Sequence, residues 1–136
     1  MIRQLDDKTL VSGQIAPDEV ADLAEQHGVT VLVNNRPDFE EPGQPLAADV
    51  EAAALQAGIA YRFVPIIRGI GPADVEAMQV ALRETGEGKL LAFCRSGTRS
   101  ALAVSLAHRE EGASRQEVEQ RLTQAGFDPG PIAHLL

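Results

Sequence analysis

The stretch KLLAFCRSGTRS occupies residues 89–100 and joins two different hydrophobic patterns. Residues 89–93 include a short apolar run bounded by polar residues, which is typical of a buried strand. Helical spacing of apolar residues begins at Ala101 and continues through Leu106. Cys94 is therefore expected at a turn that leads from a strand into a helix.

The rest of the chain repeats this alternation of strands and helices. Glycines and prolines separate short β-branched runs from longer segments with helical spacing. Strands are predicted at residues 9–12, 29–33 and 59–67, and helices at residues 17–28, 47–57, 72–86 and 114–125. Alternation of this kind predicts an α/β fold with a short, mainly parallel sheet flanked by helices.

Length and charge limit the kinds of protein that this chain can be. Its 136 residues suffice for one domain with a hydrophobic core, and no repeat or linker divides them, so a single domain over residues 1–136 is predicted. The net charge of −8 argues against nucleic acid and anionic membranes as partners. No apolar run approaches the ~20 residues of a membrane span, and the first ten residues lack a secretory apolar region. A cytoplasmic location is predicted.

The polar chemistry of the chain predicts neither a metal nor an organic cofactor. Its single cysteine cannot form an intrachain disulfide, and no Cys/His cluster has the spacing of zinc ligands. A small anionic substrate remains compatible with the negative net charge, because arginines and backbone N–H groups can attract an anion locally.

The segment after the strand at residues 89–93 has the composition of an anion-binding loop. Successive N–H groups before a helix, together with the helix dipole, can hold a tetrahedral anion and also stabilise a thiolate. Cys94 is the predicted nucleophile, and Gly97 permits the tight turn. Arg99 is the predicted two-donor anion clamp. Further substrate-binding groups are predicted at Arg95, Ser96, Gly97, Thr98 and Ser100. Cys94 as a small buried hydrophobe is the alternative.

Four segments in order carry a resemblance to a known family: SGQI, VNNRPDFEEPGQP, YRFVPI and FCRSGTRS. This pattern resembles the beta-lactamase-hydrolase-like phosphatase family of bacteria over nearly the whole chain. The resemblance implies a fold similar to protein tyrosine and dual-specificity phosphatases, and a cysteine-dependent transfer or hydrolysis. Members are also described as candidate sulfurtransferases. Residues 1–136 are accordingly expected to form one phosphatase-like catalytic domain.

Two details of the loop depart from tyrosine phosphatases, which have a histidine before the cysteine and five residues between cysteine and arginine. Phe93 precedes Cys94 here, and only four residues separate Cys94 from Arg99. This shorter loop resembles that of rhodanese sulfurtransferases, whose cysteine forms a persulfide. The order of the surrounding segments favours the phosphatase-like scaffold. Hydrolysis of a phosphate ester is therefore the leading hypothesis, sulfur transfer from a sulfane-sulfur donor the second, and a non-catalytic anion-binding module the third.

A phosphatase also requires a general acid that protonates the leaving oxygen. Asp74 is one candidate, although it also suits the N-terminus of a helix. Asp38, Glu40 and Glu41 are others, and Arg36 with Asp38 could support the loop. Sulfur transfer between thiols needs no such acid, because a thiolate is already a good leaving group.

Overall fold

A computed structural model describes residues 1–136, and its centre is a five-stranded sheet. The strands are β1 (Ile2–Asp6), β2 (Thr9–Ser12), β3 (Val29–Asn34), β4 (Ala60–Phe63) and β5 (Lys89–Phe93). They lie in the order β1-β2-β5-β3-β4. Only β1 is antiparallel to its neighbour, whereas β2, β3, β4 and β5 pair in parallel. The predicted α/β fold with a mainly parallel sheet is confirmed.

Helices cover both faces of this sheet. They are α1 (Val20–His27), α2 (Ala47–Ala57), α3 (Pro72–Arg83), α4 (Thr98–Glu110) and α5 (Arg115–Gln124), with short 3-10 segments at Pro17–Glu19 and Gly130–Leu135. Apolar residues of α1 and α2 join one core cluster, and those of α3, α4 and α5 join the other. Along β5, Leu90 and Ala92 face the second cluster while Leu91 and Phe93 face the first, because side chains alternate along a strand. None of the helices is both long and apolar enough to cross a bilayer.

Helix α4 is the element that fixes the position of the predicted loop. All eight residues from Ser100 to Ala107 are buried, so this helix is enclosed by neighbours rather than laid on the surface. It follows β5, which lies between β2 and β3 in the sheet. Residues 94–97 therefore lie at the carboxyl edge of three parallel strands, where open α/β sheets place their ligands.

Two strands of the structure differ from the sequence prediction. The strand β1 was missed, because IRQLD is half exposed and lacks the β-branched run that marks the central strands. The strand predicted at residues 59–67 ends at Phe63. Pro65 has no N–H to donate to a ladder, yet the N–H groups of Val64 and Ile66 still bond to the carbonyls of Asn34 and Asn35. This irregular segment runs on from β4 towards the loop.

Candidate active site

The loop at residues 94–97 is held by backbone bonds from both neighbouring strands. The N–H of Cys94 donates to the carbonyl of Ser12 at 3.3 Å, and the N–H of Asn35 donates to the carbonyl of Phe93 at 2.8 Å. These bonds fix the start of the loop between the ends of β2 and β3. The predicted strand-to-helix turn at Cys94 is therefore present.

The Cys94 sulfur is directed towards the start of α4. The backbone N–H of Gly97 donates to Cys94 Sγ across 3.1 Å, and Cys94 is only 1% exposed. An N–H donor and the positive end of a helix are both groups that attract negative charge. Cys94 is thus buried but has a polar contact at the start of α4, and its role as the nucleophile stays a prediction.

Two glycines allow the backbone to come this close to the sulfur. Gly97 has φ of 95°, and a Cβ there would lie 3.4 Å from the backbone carbon and oxygen of Ser12. A Cβ on Gly13 would lie 3.0 Å from the carbonyl oxygen of Arg95. The turn therefore depends on a left-handed glycine and on close packing against the SGQI segment.

The Arg99 guanidinium is only partly engaged by the protein. Its Nη1 donates to Glu40 Oε2 at 2.7 Å and to the carbonyl of Ile66 at 2.8 Å, and its Nη2 donates to Glu40 Oε1 at 2.8 Å. These bonds use three of the five N–H donors of an arginine. The Nε–H and the second Nη2–H donate to no protein oxygen, and together they form a planar two-donor fork on a guanidinium that lies within hydrogen-bonding reach of the Cys94 sulfur. The hydrogen bond with Glu40 and the negative charge of Cys94 raise the pKa of Arg99.

Glu40 connects Arg99 to a second, buried arginine. Arg36 donates from Nε to Glu40 at 2.9 Å, from Nη2 to Glu41 at 2.8 Å and from Nη1 to Gln14 at 3.0 Å. The hydrogen bond from Arg99 is the main cause that lowers the pKa of Glu40 to about 2. Glu40 is therefore a carboxylate at neutral pH, which does not suit a proton donor. The predicted loop-support position of Arg36 agrees with these contacts, and its role stays a prediction.

The remaining predicted binding residues divide between the surface and the core. Arg95 is exposed and lies 3.4 Å from Glu41, and the exposed hydroxyls of Ser96 and Thr98 lie 3.3 Å apart. Ser100 is fully buried and its hydroxyl donates to Asn35 Oδ1 at 2.8 Å. Because this hydroxyl already has a partner in the core, Ser100 supports the loop from beneath. Its contact with substrate stays a prediction.

Both predicted aspartates are engaged at helix N-termini. Asp74 Oδ2 accepts the N–H of Gly71 at 2.9 Å, at the start of α3. Asp38 Oδ1 accepts the N–H of Ala47 at 2.8 Å, at the start of α2. These carboxylates hold helix termini in this structure, and a role for either as a general acid stays a prediction.

Sequence reasoning did not assign three residues that surround the loop. Asn35 is fully buried, and it also donates to the carbonyl of Val64 at 2.9 Å. Gln14 accepts from Arg36, and Glu40 was considered only as an acid rather than as a partner of Arg99. The available signal was position, since polar residues directly after β2 and β3 meet at the same sheet edge.

Comparison with known proteins identifies the family of this chain. Residues 1–110 match the family described as beta-lactamase hydrolase-like protein, phosphatase-like domain. The chain belongs to this family. Its resemblance to a Xylella fastidiosa beta-lactamase hydrolase-like protein amounts to 39% identity over 131 residues, which is 95% of the chain but 30% of that protein. The chain thus spans less than a third of this curated relative.

Solved structures show the same fold. A crystal structure of a candidate phosphatase from Neisseria meningitidis matches with a TM-score of 0.81 and 30% identity, covering 98% of this chain and 94% of the other. The crystal structure of PTPMT1 matches with a TM-score of 0.74 at 14% identity, covering 97% and 89%. The predicted resemblance to tyrosine-phosphatase-like folds is confirmed.

Proposed function

We propose that residues 1–136 form a phosphatase-type catalytic domain that hydrolyses a small phosphate ester through Cys94. The observation that carries this proposal is the 3.1 Å bond from the Gly97 N–H to Cys94 Sγ at the N-terminus of α4, with Arg99 in the first turn of that helix. A stabilised sulfur nucleophile beside a two-donor arginine fork is the arrangement that phosphoryl transfer through cysteine requires.

The proposed reaction has two steps. The Cys94 thiolate attacks phosphorus, an S–P bond forms, and the ester P–O bond breaks as the alkoxide or phenoxide leaves and takes a proton from solvent water. Water then attacks the thiophosphoryl group, the S–P bond breaks, and phosphate and the thiolate are released. The N–H groups of the loop and the free fork of Arg99 would hold the non-bridging oxygens in both steps.

Because the nearby carboxylates are already engaged, the site favours substrates whose leaving group needs little protonation. Asp38 and Asp74 accept backbone bonds, and Glu40 is ionised between two arginines. A phenol or another acidic leaving group departs without strong protonation, whereas a simple alkoxide needs a general acid. Aryl phosphates are therefore the first substrates to test.

Sulfur transfer is the second candidate, and the four-residue spacing between Cys94 and Arg99 favours it. Here the Cys94 thiolate attacks the outer sulfur of thiosulfate, a new S–S bond forms, the old S–S bond breaks, and sulfite leaves. An acceptor thiolate then takes the outer sulfur and restores the Cys94 thiolate. Neither reaction calls for a metal or an organic cofactor.

One paired assay separates these functions. Aryl phosphate hydrolysis and the mass of the intact protein after brief exposure to thiosulfate are measured for wild type, Cys94→Ser and Arg99→Lys, with Arg115→Lys as the control on α5. We expect phosphate release that Cys94→Ser abolishes and that Arg99→Lys lowers by about 10²- to 10³-fold, because a lysine lacks the planar fork. The Arg115→Lys control should match wild type.

A Cys94-dependent gain of one sulfur without phosphate release would replace the hydrolase proposal with sulfur transfer. Phosphate binding without either reaction would identify a non-catalytic anion-binding module. Unchanged phosphatase activity in Cys94→Ser would rule out the nucleophile.

A further inference from the structure

A groove of about 460 Å³ opens beside the Arg99 guanidinium. It lies between the segment that follows β4 and the 3-10 segment at Gly130–Leu135. Arg99 and His134 are the only polar side chains in its lining. Six apolar residues line it: Ile66, Ile67, Ile70, Leu102, Ile132 and Leu135.

The apolar lining has a buried floor and an exposed rim. Leu102 and Ile132 are almost fully buried, whereas Ile67 is 76% exposed and Leu135 is 51% exposed. Single exposed apolar residues are common on protein surfaces. Here two exposed apolar side chains lie at the rim of the same apolar groove, where a ligand could cover them together. The groove therefore offers hydrophobic area that the fold itself leaves uncovered.

Arg99 makes this groove continuous with the candidate active site. Its Nη1 donates to the carbonyl of Ile66, the residue that precedes the exposed Ile67. The same side chain lies close enough to Cys94 for the charge of the sulfur to raise the pKa of Arg99. The groove itself is thus cationic at its Arg99 end and mainly apolar along the rest of its lining.

We propose that this groove binds the alkyl or aryl part of the substrate while its anionic head lies at residues 94–99. The ligand class is therefore an anion with an apolar tail, since one end of the site matches a negative charge and the other matches hydrocarbon. Ile67, Ile70 and Leu102 are the residues that determine this specificity. The proposal builds on the proposed function, because it takes the loop as the site of the anionic head.

Binding of a phosphonate series tests the groove without relying on turnover. Methyl-, butyl- and hexylphosphonate are titrated into Cys94→Ser by calorimetry, because these compounds are not hydrolysed and serine preserves the loop. We expect Kd to fall by about twofold to fourfold per added methylene, the range for partial to full burial of each group. A Kd independent of chain length would overturn the groove and leave the anion site intact. Failure of all three, methylphosphonate included, would overturn the anion site and the groove together.

A pair of matched substitutions tests whether the apolar part of the ligand binds in the groove. Ile67→Ser removes an apolar rim residue that is 76% exposed, and Leu55→Ser removes one that is 72% exposed on α2, across the sheet. Neither should affect folding strongly, since both side chains already face solvent. In the Cys94→Ser background, Ile67→Ser should weaken hexylphosphonate by about threefold to tenfold and leave methylphosphonate unchanged. Equal effects of the two substitutions on hexylphosphonate would overturn the assignment.

Discussion

Glu40 and Arg99 are 59 positions apart in sequence and yet form a two-point ion pair. Because Glu40 also accepts from the buried Arg36, its carboxylate is held in one orientation. It engages the end of the Arg99 guanidinium and leaves the Nε side open. Glu40 is thus better described as a positioning residue for Arg99 than as a proton donor.

Replacing Glu40 by Gln should lower Cys94-dependent activity under conditions in which the variant is still folded. Glutamine keeps an acceptor but loses the charge and one of the two oxygens that orient Arg99, and small misplacements of a catalytic group are costly. We expect kcat/KM to fall by roughly ten- to a hundredfold in steady-state assays. The control is Glu41→Gln in the same loop, because Glu41 contacts Arg36 and Arg95 but not Arg99. A Glu40→Gln enzyme as active as Glu41→Gln would refute the positioning role.

At the scale of the element, the turn from β5 into α4 depends on Gly97. Its φ of 95° disfavours any residue with a Cβ, and its N–H is the donor to Cys94 Sγ. Gly97→Ala should therefore lower the free energy of unfolding by about 1–2 kcal/mol and should also reduce activity at least tenfold.

Gly112→Ala is the matched control for this substitution. Gly112 has φ of 112° with no atom close to an added Cβ, and it follows the far end of α4. It should share the loss of stability, measured by urea unfolding, but retain full activity. Equal activity of the two alanine variants would show that the Gly97 turn is not needed for the chemistry.

How far the elements could be predicted depends on how local their signals are. The strand at residues 89–93 and the helix at residues 47–57 were predicted with the observed bounds, because apolar runs and a terminal glycine are local features. The β1 strand was missed because its pairing with β2, rather than its own sequence, defines it. The pairing of Glu40 with Arg99 is equally non-local. The position of the Cys94 loop could be predicted from local sequence. The contacts that Glu40 and Asn35 make with residues of the loop and α4 could not, because they depend on how distant segments pack in the fold.

At the scale of the whole molecule, His108 joins four elements at the end opposite the loop. It lies on α4, 3.2 Å from the Thr9 hydroxyl of β2 and 3.4 Å from the Asp6 carboxylate of β1, with Arg121 of α5 also near that carboxylate. Burial lowers the pKa of His108, although Asp6 acts in the opposite direction. His108 is therefore held neutral where β1, β2, α4 and α5 meet.

The stability of the whole domain should consequently fall as pH drops below about 6.5, the ordinary pKa of histidine. The unfolded chain binds the proton more readily than the folded one, so the stabilisation is complete above that pH and is lost below it, by no more than about 1.4 kcal/mol per pH unit. Urea unfolding between pH 5 and 7.5 should show this slope in wild type and in the exposed-site control His27→Gln, but not in His108→Gln. The pKa of Glu40 is lowered from 4.5 to about 2, so the stability that its carboxylate contributes is lost only as pH falls below about 4.5. The pH range of the Glu40 effect therefore lies below that of the His108 effect. If the free energy of unfolding of His108→Gln falls with pH as steeply as that of wild type, His108 is not the cause of the pH dependence.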